Sequence, residues 1–250
     1  MACGVEDEGS LTPGGADAPN QKLKVFISYS SRDGEVADTL AADLTAAGFE
    51  VIIDKRDLPF AEEWQKQLSG FILKSDAVVW LVSPNSINSQ WCNWEASEVT
   101  RLSKRLIPVR IADTFTQTLP DAISKLHMLP ARGVYDRAGH LPLVVSTLNT
   151  DRAWHQEYSR LITLAERWQQ SGHSDDLLLG QADVRATGSA LEHRPRDAPE
   201  PSVVLIDLRD KSRAKLDADE KRQRRIIGRA FVKPAEEANA RGEHEHALRL

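Results

Sequence analysis

The stretch Ala77-Val78-Val79-Trp80-Leu81-Val82, closed by Ser83-Pro84-Asn85-Ser86, decides the fold. A continuous apolar run ended by turn formers reads as a strand buried on both faces, as in the middle of a parallel sheet. On its N-terminal side, Glu62 to Lys74 puts Trp64, Leu68, Phe71 and Ile72 on one helical stripe. Before that helix, Glu50 to Ile53 reads as a strand, followed by the charged stretch Asp54-Lys55-Arg56-Asp57 and Pro59. Earlier still, Asp33 is placed to cap a helix whose apolar positions are Val36, Leu40, Leu44 and Ala47, with Gly48 as its stop. Val25-Phe26-Ile27 is then the first strand, meeting the polar cluster Ser28-Tyr29-Ser30-Ser31. On the C-terminal side follow a helix from about Trp91 to Ser103, a strand over Leu106 to Ile111, a short helix over Asp121 to His127, and a fifth strand at Gly133-Val134-Tyr135. Strand and helix alternate, so the expected class is α/β: a five-stranded parallel sheet with helices on both faces. In such sheets ligands meet the loops at the carboxyl ends of the strands, which directs attention to Tyr29 to Asp33, Asp54 to Ala61 and Ser83 to Gln90.

The flanks differ in character. Residues 1–22 are acidic and rich in Gly and Pro and are expected to be a disordered tail ahead of a domain over 23–150. Beyond it, Trp154, Tyr158, Leu161, Ile162, Ala165 and Trp168 share a helical stripe, giving a helical extension over 151–193. A Pro-containing linker over 194–201 leads to a charged helical segment over 202–250, expected to be cut from something longer.

Composition narrows the function classes. With 41% hydrophobic and 28% charged residues the chain can build a core. No apolar run approaches the ~20 residues of a membrane helix, and the first residues lack the pattern of a signal peptide. Cys3 and Cys92 cannot form a disulfide framework or a structural zinc site, so a cytoplasmic setting is expected. The net charge is −5, and Glu6, Asp7, Glu8 and Asp17 supply four of the negatives in a stretch without Lys or Arg. The remainder is close to neutral, which argues against nucleic acid as a partner. The histidines show no metal-ligand spacing, so no metal site is expected.

Several chemistries can be set aside on motifs. Ser28-Tyr29-Ser30-Ser31-Arg32 has none of the glycines of a dinucleotide-binding turn, and no Gly-Lys-Ser/Thr occurs. The third strand ends Val82-Ser83-Pro84, not in the Asp of a phosphoacceptor domain. The chemically dense segment is Ser89-Gln90-Trp91-Cys92-Asn93-Trp94-Glu95. Trp91 and Glu95 lie four apart on one helix face. A carboxylate beside an aromatic wall can oppose positive charge developing on a ligand. The competing reading makes Glu95 a favourable charge near the positive end of the helix dipole, with the tryptophans as packing. Cys92 has no histidine partner before His127 and reads as structural.

Taken in order, these segments resemble the TIR (Toll/interleukin-1 receptor) domains, specifically their bacterial branch. Val25-Phe26-Ile27-Ser28-Tyr29-Ser30 is similar to the opening box of that family, and Gly48-Phe49-Glu50-Val51 with Asp54 to its second strand. Arg56-Asp57-Leu58-Pro59 is similar to its BB loop, with Phe60 where a glycine often stands. Ser89 to Glu95 resembles the segment holding the catalytic glutamate of TIR NAD⁺ hydrolases. The resemblance covers about residues 24–150. It implies a flavodoxin-like sheet and cleavage of the nicotinamide–ribose bond, with NAD⁺ as substrate and no separate cofactor. Glu95 would be the catalytic carboxylate, Phe26, Tyr29, Trp64 and Trp91 walls or stacking surfaces, and Arg32 a phosphate contact. Arg56, Asp57, Pro59 and Phe60 would form the TIR–TIR interface through which self-assembly activates the domain, in antiphage defence or other immune-type signalling. The region after residue 150 is similar to segments that join TIR domains to WD-repeat propellers, implying a C-terminal sensor domain. The alternative is a non-catalytic TIR adaptor that signals through homotypic contacts.

Overall fold

The structure, a computed structural model, describes residues 21–53, 62–114 and 117–240, and only the backbone for residues 62–64 and 230–240. Arg56, Asp57, Pro59 and Phe60, the expected interface residues, lie outside the described residues.

Four parallel strands form the sheet among these residues: β1 (Lys24–Ser28), β2 (Glu50–Ile53), β3 (Ala77–Val82) and β4 (Arg105–Arg110), in the order β2-β1-β3-β4. Val25 pairs with Val51 on one side and with Ala77 on the other, and Ala77 pairs with Arg105. β3 is buried at every position, which is why its sequence shows no alternation. On β1 the alternation is legible. Val25 and Ile27 face a cluster with Ala37, Leu40 and Leu44 of α1 (Gly34–Ala46) and with Val144 and Leu148 of α6 (Arg137–Asn149). Phe26 faces the opposite layer, with Leu68 and Ile72 of α2 (Glu62–Lys74) and Val99 of α4 (Gln90–Arg101). Helices therefore cover both faces. Beyond the last residue of α1, Gly48, with φ of +94°, lets the Phe49 amide turn back to the Leu44 carbonyl at 3.0 Å.

The expected fifth strand at Gly133-Val134-Tyr135 does not form. The outer edge of β4 is met instead by a single bridge, Val109 to Leu129, with Arg110 N donating to Leu129 O at 2.7 Å and Tyr135 N to Arg110 O at 2.6 Å. Pro130 has no N–H to continue a ladder, and Gly133, at φ +73°, turns the chain before pairing can extend.

Two short helices complete this half: α3 (Pro84–Ile87), capped by Ser83, and α5 (Asp121–Ser124). After it come α7 (Arg152–Gln170), α8 (Gln181–Glu192) and α9 (Val203–Ala240). Tyr158, Leu161, Ile162, Ala165 and Trp168 of α7 bury against Leu179, Ala190, Leu205 and Leu208, a cluster separate from those around the sheet.

Candidate active site

Strand order reverses at β1: the chain leaves it to one side for β2 and to the other for β3. The crevice at the carboxyl ends of β1 and β3 is where an open α/β sheet receives ligands. Ser28 closes β1 there, beside Trp80 of β3. β2 ends at the same edge, with Ile53 in register with Ile27.

α4 descends from this edge. Ser89 caps it, accepting from Cys92 N at 3.3 Å, and Trp80 Nε1 donates to Cys92 O at 3.1 Å, which pins the first turn to β3. One turn on, Glu95 points back at the sheet, and Ser28 Oγ donates to its Oε2. Glu95 is 7% exposed and Ser28 1%. A carboxylate this buried requires a donor, and the end of β1 supplies it. Glu95 is the sixth residue of α4, past the first turn where the dipole acts, so proximity to the helix terminus does not account for its position.

Cys92 is buried, and burial with the nearby Glu95 and Asp33 charges pushes its thiol up to about 12. It is a packing residue and no nucleophile at neutral pH. Asp33 sits at the N-cap of α1 but makes no side-chain cap bond. Its carboxylate accepts from Ser83 Oγ at 2.5 Å and Asn85 Nδ2 at 2.8 Å, tying the loop after β1 to the loop after β3. Sequence reasoning assigned no role to Ser28, Ser83 or Asn85. Their signal was their place in polar clusters at strand ends.

The other expected site residues divide. Phe26 is fully buried among Leu68, Ile72 and Val78, so its ring presents no surface to a ligand. Trp91 is half-buried against the same cluster, with its indole on the α2 side of α4 while Glu95 turns toward Ser28. Tyr29 packs on the opposite layer, its ring beside Gly34. Arg32 is exposed on a 3-10 turn over Ser31–Asp33. Trp64 lies in the first turn of α2, and its side chain is outside the described residues. The structure thus brings Ser28, Glu95 and Cys92 together at one strand end, with Asp33, Ser83 and Asn85 hydrogen-bonded to one another in the neighbouring loops.

Residues 25–141 match the family model described as TIR domain. The match spans just under half of the chain, and this part of it is similar to TIR domains. Over 122 residues it is 26% identical to Toll-like receptor 1 of Homo sapiens and 25% identical to Toll-like receptor 6 of Mus musculus, in each case 46% of this chain. The matched segment spans only 16% and 15% of those receptors. Among solved structures, the TIR domains of the activated Roq1 resistosome, described as directly recognizing the pathogen effector XopQ, align with 22% identity. That alignment covers 36% of this chain and 58% of the other at a TM-score of 0.31, too low to add to the assignment. Among the described residues no helix is long and apolar enough to cross a membrane.

Proposed function

We propose that the TIR domain is an NAD⁺ glycohydrolase with Glu95 as its catalytic carboxylate, working in immune-type signalling and activated when copies assemble. One observation carries the reading: a buried carboxylate at the switch point of the sheet, accepting from the Ser28 hydroxyl at the end of β1.

The chemistry suits such a group. The C1′–N bond breaks with its electron pair leaving on nicotinamide, a neutral product, and the ribose becomes oxocarbenium-like. A fixed carboxylate in a dry site stabilises that cation as it develops. Water then adds to C1′ and releases one proton, giving ADP-ribose. Ser28 orients the carboxylate beforehand, so little reorganisation is needed at the barrier. On this reading NAD⁺ enters the crevice past Tyr29 and Arg32.

A second reading is favoured by the same pair. Ser28 Oγ satisfies Glu95, so the carboxylate can be a structural group of a non-catalytic TIR adaptor. Nicotinamide release, followed by NMR with the protein clustered on a multivalent support, separates the two. The enzymatic reading expects release that Glu95→Gln abolishes. The adaptor reading expects none, together with self-association that charge reversal at Arg56 and Asp57 removes.

A further inference from the structure

α7 has two working faces. Its apolar stripe builds the core shared with α8 and α9. Ser159, Thr163 and Glu166, spaced four and three residues apart, form a second stripe that meets the TIR domain through polar atoms. Lys104, just before β4, donates from Nζ to Ser75 O at 3.0 Å and to Ser159 O at 3.5 Å. Thr163 Oγ1 donates within α7 to Ser159 O at 2.9 Å and lies 3.5 Å from Leu73 O across the seam. Glu166, 4% exposed, accepts from the Arg101 guanidinium at 3.3 to 3.4 Å. Arg101 also grips Glu98 through Nε at 2.8 Å and Nη2 at 2.9 Å, and Ser69 Oγ of α2 donates to the same carboxylate at 2.5 Å.

This seam is mainly polar. Among the described residues, Leu73 is the TIR side chain that packs on the apolar cluster of the extension, and it also lies against the cluster between α2 and the sheet. A groove of about 750 Å³ lies beside it, walled by Ser69, Gly70, Leu73, Trp94 and Glu98 of α2 and α4, with Gln170 as its lining residue from α7. Two bodies whose apolar cores meet at one described side chain, joined otherwise by hydrogen bonds and an ion pair, part more readily than either core opens.

The seam also ends on a particular helix. α4 starts at the carboxyl edge of the sheet and finishes at Arg101. Glu95 and Arg101 are six positions apart, about 9 Å of helix. The element that presents Glu95 to Ser28 is therefore the element α7 holds by its last turn.

We propose that α7 to α9 act as a detachable clamp on the TIR domain, with Arg101–Glu166 as the latch, so that undocking loosens α4 and the carboxylate it carries. The docking stands on the geometry alone. Its consequence for turnover rests on the reading of Glu95 given above.

Amide hydrogen exchange on the full chain tests it. Glu166→Lys is expected to raise exchange about tenfold in peptides covering 90–101 and 152–170, leaving 24–28 and 77–82 protected. Glu166→Gln, a milder change, should give the same pattern at lower amplitude. Unchanged exchange in α4 would overturn the proposal, and so would loss of protection throughout the chain in Glu166→Gln, which would mean one indivisible core. Should exchange shift as expected while no variant and no clustering condition releases nicotinamide, the clamp stands and the enzymatic reading falls.

Discussion

Ser28 and Glu95, 67 residues apart in sequence, meet where β1 ends, and the serine hydroxyl donates to Oε2 of a carboxylate that solvent hardly reaches. The pair joins the central strand to the helix behind it. Each residue explains the other's burial: the serine gives the carboxylate a donor, and the carboxylate gives the serine an acceptor.

Removing the donor should therefore be costly. Ser28→Ala leaves Glu95 short of a partner in a dry site and is expected to destabilise the chain by about 1–3 kcal/mol. Paired with Glu95→Gln it should be non-additive by about 0.5–3 kcal/mol, as direct partners are. Urea melts of the two single variants and the double variant give the number. Simple addition would show that the two side chains do not support each other in solution.

Cys92 should be chemically silent. With its thiol pushed up to about 12 by burial and two nearby carboxylates, almost no thiolate exists at pH 8. Mass spectrometry after iodoacetamide treatment is expected to find Cys92 unmodified in the folded protein and alkylated once urea unfolds it. Cys92→Ala should retain whatever activity the wild type has. Rapid native-state labelling of Cys92 would mean that the first turn of α4 opens to solvent.

Lys104 predicts a pH dependence of stability. Burial pushes its ammonium down to about 7, against the attraction of Asp76 and Glu166. The unfolded chain holds this proton up to about pH 10.4. Between those values the unfolded state binds more protons than the native one, so stability rises with pH. Below pH 7 the cost of the buried charge is fully present. Relative to Lys104→Met, the wild type should gain stability from pH 7 to pH 10, by on the order of 4 kcal/mol at full amplitude. A flat difference across that window would show that the ammonium is solvated.

His155 acts in the acid range. Burial, with Arg105 nearby, lowers its imidazole to about 3. The native state keeps it neutral where the unfolded chain takes up a proton, so its contribution is lost as pH falls from about 6.5 toward 3. His155→Phe should be less sensitive to pH than the wild type in thermal melts across that interval. Parallel curves for the two proteins would place the ring in contact with water.

Much of the layered fold could be read from the chain. The unbroken run at Ala77 to Val82 states that this strand is central, whereas the opposite facing of Val25 and Ile27 against Phe26 shows only in the packing. The edge of the sheet was less legible. Val134 and Tyr135 have strand-like side chains, and the outcome turned on the missing N–H of Pro130 and the turn at Gly133. The site was half legible. Trp91 and Glu95 share a helix face by spacing, yet the indole packs beside Phe26 while the carboxylate turns to Ser28, because four residues overshoot one turn by about 40°. The Ser28 partnership is a contact across 67 residues, which no local pattern encodes. Asp33 shows the same limit: its position in sequence is that of a helix cap, and its actual partners, Ser83 and Asn85, come from the next strand but one.

The most direct measurement is nicotinamide release from NAD⁺ by clustered wild-type and Glu95→Gln protein, both shown by circular dichroism to be folded. The account predicts release by the wild type and a fall of about 10²–10³-fold in the variant, the scale expected when a group stabilising transition-state charge is neutralised. Equal release by the two proteins, or none from the wild type under any clustering condition, would contradict it.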